Sequence, residues 1–69
     1  MLKLTERLLT LRRERKLTQE DVAKELGISL KSYCRYERGE RLPDADVLVR
    51  IADFYGVTLD YLVGRAEER

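Results

Sequence analysis

In the stretch TQEDVAKELGISLKSYCRYERG, residues 18–39, three side chains stand out by type and spacing: Lys31, Cys34 and Arg35. Positions three and four apart share one face of a helix. The chemistry such a face offers is donation, because lysine and arginine carry only N–H donors and a fixed positive charge. The residues needed for bond-breaking are missing. The chain has no histidine and one cysteine, which leaves no zinc set, no catalytic triad and no Cys–His pair. It has no GxGxxG and no P-loop. Adjacent carboxylates such as Glu67 and Glu68 read as a solvated tail. The expectation is therefore a non-enzyme without metal or cofactor.

Helical periodicity dominates, and no segment alternates as a strand does. Leu4, Leu8 and Leu11 recur at helical spacing within a first helix expected from Leu2 to Arg15. Thr18 and Asp21 form a Thr-x-x-Asp capping pattern that starts a second helix with Val22, Ala23 and Leu26 inward. Gly27 ends it, and Ser29 caps a third helix from Leu30 to Arg38, stopped by Gly39. Asp44 caps a fourth, Ala45 to Tyr55, expected to bury Leu48, Ile51, Ala52 and Tyr55. Thr58 caps a short fifth, LDYLV, expected to bury Val57, Leu59 and Leu62. Residues 65–69 are expected to fray. The reading is an all-α single domain, residues 1–69, of five short helices.

A chain of 69 residues buries only about 60% of its unfolded surface, so it must fold economically. A lone cysteine permits no internal disulfide, which fits a reducing cytoplasm. No apolar run approaches the roughly 20 residues that cross a bilayer, and the start lacks a signal peptide's apolar region. The net charge is only +1, but residues 1–38 carry +4 and residues 39–69 carry −3. A domain polarised in this way can turn a basic face toward a polyanion.

Two helices joined by a short turn with glycine form a helix-turn-helix unit. Ala23 is small where the helices approach, Ile28 fills their angle, and Tyr33 and Tyr36 anchor the inner side of the third. Leu30, Lys31, Cys34 and Arg35 are left on the outer face. Such a face fits a DNA major groove, where Lys or Arg donates to guanine O6 and N7 and Leu30 meets a thymine methyl. Lys24, Arg38 and Arg41 flank it, within reach of phosphates.

With these residues in view, the chain resembles the lambda-repressor-like, Cro/CI-type helix-turn-helix domains. The likeness runs through LRRERKLTQEDVAKELGIS, YERGERLP and LVRIADFYGVTLDYLVG, covering residues 4–64. It implies a five-helix DNA-binding fold. It also implies base contact from Leu30, Lys31 and Arg35, a groove-edge contact from Ser29, and a phosphate bond from Gln19. Arg38 matches a position beside the DNA backbone. Arg12 and Glu37 match a pair tying the first helix to the end of the third, with the arginine also near a phosphate. Tyr33 departs from the family's usual Ile or Val, and Leu30 and Lys31 from its usual Gln, Ser or Thr.

The expected function is sequence-specific binding of double-stranded DNA by a transcriptional regulator. It would act as a repressor on a near-palindromic operator, as a homodimer and without an evident small-molecule effector. Phe54, Tyr61 and Val63, off the inward stripes of the last two helices, are the candidate dimer contacts. The rival is a protein-interaction module on the same fold, of antitoxin or anti-repressor type, using that same apolar group.

Overall fold

The cap chemistry written in the chain is realised almost residue for residue. A computed structural model describes residues 3–69. It contains α1 (Leu4–Glu14), α2 (Gln19–Leu26), α3 (Leu30–Glu37), α4 (Ala45–Tyr55) and α5 (Leu59–Val63), with no strand among the described residues. The expected start of the first helix at Leu2 lies outside the described residues. At the head of α2 the Thr18 hydroxyl accepts from Asp21 N at 3.0 Å, and Asp21 accepts from Thr18 N at 2.9 Å. Two otherwise orphaned amide donors are satisfied reciprocally. Donation to its carboxyl from the Thr18 backbone N–H first, and then from the Thr18 side chain, holds Asp21 below its ordinary pKa. Ser29, Asp44 and Thr58 cap α3, α4 and α5 in the same sense.

The core is one cluster. Leu8, Val22, Tyr33, Ile51 and Leu62 are its most enclosed large side chains, and they come from all five helices. α1 lies against α3 and α5, α2 against α3 and α4, and α4 against α5. The short α2–α3 connection is held by Gly27 at φ +69° and by a bond from Ile28 N to Ala23 O at 3.0 Å. Only glycine adopts that left-handed conformation without steric cost.

Three expectations need correction. Leu59 points outward and is 44% exposed, while Tyr61, expected on the surface, is buried at 6%. Leu48 is half-buried, and its neighbour Val47 takes the core position. Residues 65–69 are not a frayed end. Arg69 holds Glu14 through two bonds of 2.7 and 2.6 Å, its carbonyl accepts from Thr58 N, and Glu67 meets Lys3 and Arg7. These contacts lay the segment against α1, far away in sequence.

Candidate nucleic-acid interface

The interface begins with what fixes α3. Tyr33 and Tyr36 bury the helix's inner side, and Glu37, at its last turn, is 5% exposed. A buried carboxylate must be paired and hydrogen-bonded to be tolerated. Glu37 is both. Its Oε2 accepts from Arg12 Nε at 2.6 Å and from the Tyr33 hydroxyl. Its Oε1 accepts from Arg12 Nη2 and Gln19 Nε2, each at 3.1 Å. Burial pushes the Glu37 carboxyl up, but the bonds from Arg12, Tyr33 and Gln19 together outweigh it and hold the pKa below its ordinary value. The Glu37 bond correspondingly raises the Arg12 guanidinium. Burial, and then donation to Glu37, pushes the Tyr33 phenol up. One carboxylate therefore clamps α1, α2 and α3 together.

The clamp also orients two residues of the candidate site. Because the Gln19 Nε2 donates to Glu37, its Oε1 is left to accept from the Cys34 thiol at 3.3 Å. Cys34 is half-buried and turned toward the head of α2. Arg12 further donates through Nη1 to Leu17 O at 3.0 Å. Gln19 and Arg12 thus enter the candidate backbone contact with most of their hydrogen-bonding capacity already engaged.

Outward of this network, Leu30 is 43% exposed, Lys31 is exposed and Arg35 is half-exposed. Neither cation forms an ion pair among the described residues. Lys24 on α2 and Arg41 beyond α3 are likewise exposed and free of such pairs, while Arg38 meets Glu40 at 3.4 Å on the open surface. The Ser29 hydroxyl caps α3 by accepting from Ser32 N at 3.1 Å and also contacts Ser32 Oγ. The candidate base-reading and backbone residues therefore lie on α2, the turn after it, α3 and the segment that follows, with Arg12 reaching in from α1.

The candidate dimer residues do not gather into one patch. Tyr61 is buried beneath the Arg7 guanidinium, 3.9 Å from its ring centre. Phe54 is half-buried, borders a separate groove with Arg15, Leu17 and Lys24, and stacks edgewise on Tyr55 at 4.9 Å. Val63 is half-buried.

Two arginines invisible to motif reading complete the frame. Arg50 donates to Leu26 O at 2.6 Å, satisfying a carbonyl at the end of α2. Arg15 does the same for α4, reaching Phe54 O at 3.2 Å and Tyr55 O at 2.9 Å. The last carbonyls of a helix lack internal partners and carry partial negative charge, so a guanidinium there is favourable. No local pattern signals either bond, since each spans more than a helix in sequence.

A helix-turn-helix family model matches residues 8–62. The chain belongs to the helix-turn-helix family. Over 64 residues it is 47% identical to the cryptic phage CTXphi transcriptional repressor RstR of Vibrio cholerae serotype O1, covering 93% of this chain and 57% of that protein. It is 38% identical to the HTH-type transcriptional regulator ImmR of Bacillus subtilis, covering 93% of this chain and 50% of that one. The crystal structure of a transcriptional regulator from Listeria innocua superposes with a TM-score of 0.89 at 29% identity, covering all of this chain and 64% of that one. The chain spans about half the length of the curated relatives it matches. Among the described residues no helix is long and apolar enough to cross a membrane.

Proposed function

We propose that this helix-turn-helix chain binds double-stranded DNA in a sequence-dependent way and represses transcription. α3 lies in the major groove, with Lys31 and Arg35 donating to base edges and Leu30 offering an apolar contact. Lys24, Arg38 and Arg41 meet phosphates, and so does the remaining N–H of Gln19. The observation that carries this reading is the pair of unneutralised cations, Lys31 and Arg35, on the open face of a helix whose inner side is fixed by the Glu37 clamp. Cations left without acceptors on a rigid element are prepared to meet an external polyanion.

Binding as a homodimer to a near-palindromic operator follows from the same reading, with half-site centres about 34–36 Å apart. The partner surface is assigned to α4 and α5, which carry the exposed Val49 and Leu59, each 44% exposed, and the half-buried Phe54 and Val63. Repression follows from occlusion of a promoter that overlaps the operator. The rival protein-interaction module drew on the apolar group of Phe54, Tyr61 and Val63, on the acidic second half and on the modest net charge; the burial of Tyr61 takes that residue out of the group, for the rival and for the dimer contact alike.

Paired substitutions test the assignment. Arg35→Ala should cost about 1–3 kcal/mol on the preferred site and relax preference at one base pair. Arg38→Ala should weaken all sequences alike and flatten the salt dependence by about one unit of slope. Equal effects of both changes on specific and random duplexes, measured across a salt series, would refute the division into base reader and backbone contact.

A further inference from the structure

Arg7 and Glu37 are the two buried charged residues among those described, and they are held very differently. Glu37 is saturated by donors from three helices. Arg7 is 8% exposed and its guanidinium lies over the Tyr61 ring, yet its ion-pair partner is Glu67, whose side chain is 79% exposed and sits 3.3 Å away. Lys3 reaches the same carboxylate, also at 3.3 Å. Arg69 approaches the Tyr61 ring at 5.1 Å from its centre. Together these side chains border an open, mostly polar groove of about 400 Å³ between α1 and the C-terminal segment.

The permanent half of this site is well built. Arg7 and Tyr61 are fixed by the helices that bury them, and a guanidinium stacked on an aromatic ring presents a rigid fork suited to a carboxylate. The other half is exchangeable, because an ion pair whose acid is largely in water contributes little and is readily given up. Glu6, at the groove's edge, opposes further negative charge, so the groove suits a single inserted carboxylate better than a dense polyanion.

From this asymmetry we infer that the α1–α5 groove is a carboxylate-recognition site that takes an acidic peptide segment of another protein in place of Glu67. The partner's carboxylate displaces Glu67 from Lys3 and Arg7 and keeps the fork over Tyr61. The site is separate from the cationic face of α3, and the inference does not depend on the proposed DNA function.

The test is an NMR titration of the chain, without DNA, using a short uncharged peptide that carries one central glutamate, with the same peptide carrying glutamine there as control. Shifts are expected at the Arg7 guanidinium and the Tyr61 ring with the glutamate peptide only. Glu67→Gln removes the internal competitor and should tighten binding about three- to fivefold, the range an exposed ion pair commands. Lys3→Gln should weaken it by a similar factor. Lys31→Gln should leave it unchanged. Equal affinity of the unaltered chain and Glu67→Gln, absence of shifts at Arg7 and Tyr61, or loss of binding in Lys31→Gln would each overturn the inference.

Discussion

Each oxygen of the Glu37 carboxylate accepts two hydrogen bonds, so the residue has no spare acceptor direction. Removing it strands a guanidinium and a buried phenol at once. Glu37→Ala is expected to cost about 3–5 kcal/mol, against a total stability of roughly 3–10 kcal/mol for a domain this size. Urea denaturation should show the transition moving close to zero denaturant, and retention of more than half the midpoint would contradict the clamp. Cys34 is a smaller case with a sharper functional consequence. Its thiol donates to Gln19, so we expect it to support the α2–α3 contact and to leave base reading to its neighbours. Cys34→Ala should therefore cost about 0.5–1.5 kcal/mol in stability and leave the consensus selected from random duplexes unaltered. Cys34→Ser, which keeps a donor, should recover much of the loss. A changed consensus in Cys34→Ala would return the residue to the base-contacting set.

At the scale of elements, all five helices end alike, as α1, α2 and α4 illustrate. The residue after the last turn turns left-handed, and the next amide bonds back to a carbonyl five residues earlier: Leu17 N to Arg12 O, Ile28 N to Ala23 O, Val57 N to Ala52 O. At the ends of α2 and α4 the left-handed residue is glycine, but at the end of α1 it is Lys16, at φ +57°. The two kinds of site predict opposite signs. Gly27→Ala should destabilise by about 1–2 kcal/mol, the cost of the left-handed backbone for an L-residue. Space is not the cause, since an added Cβ would lie an ordinary 3.7 Å from Arg50 Nη1. Lys16→Gly should stabilise by about 0.5–1 kcal/mol, the strain relieved less the extra entropy of glycine. Thermal midpoints of the two variants should move in opposite directions. This division also explains what could be read in advance. Caps, glycine stops and the helix-turn-helix were legible because each rests on local chemistry or a motif of fixed spacing, and the Arg12–Glu37 pair only through the family resemblance. The facing of Leu59 and Tyr61 was not, because five residues of α5 are too few for periodicity to fix which side faces inward. The Cys34–Gln19 bond and the Glu14–Arg69 pair were not either, since a contact between distant segments leaves no trace in the spacing of either one.

For the whole molecule, the buried clamp determines how the fold responds to acid. Glu37 is depressed from an ordinary value of 4.5, so between its folded and unfolded pKa values the unfolded chain binds more protons than the folded one. The stability this residue contributes is complete above the unfolded value and is lost as pH falls through the folded value. Glu14, Asp21 and Glu67 are depressed in the same direction by Arg69, the Thr18 backbone and Lys3 respectively, but they are solvent-exposed and screened. The expected profile is level from neutrality to about pH 5 and falls steeply below about pH 4.5. Added salt should flatten the exposed groups' share and leave the Glu37 share largely in place, because buried pairs are screened much less. Glu37→Gln separates the two. It should be less stable than the parent at neutral pH, since an amide offers one acceptor oxygen where the carboxylate offered two, and its stability should fall less as acid is added. Urea midpoints at successive pH values, at low and high salt, would show the two curves converging toward acid. Parallel curves would mean that Glu37 does not carry the acid sensitivity of the fold.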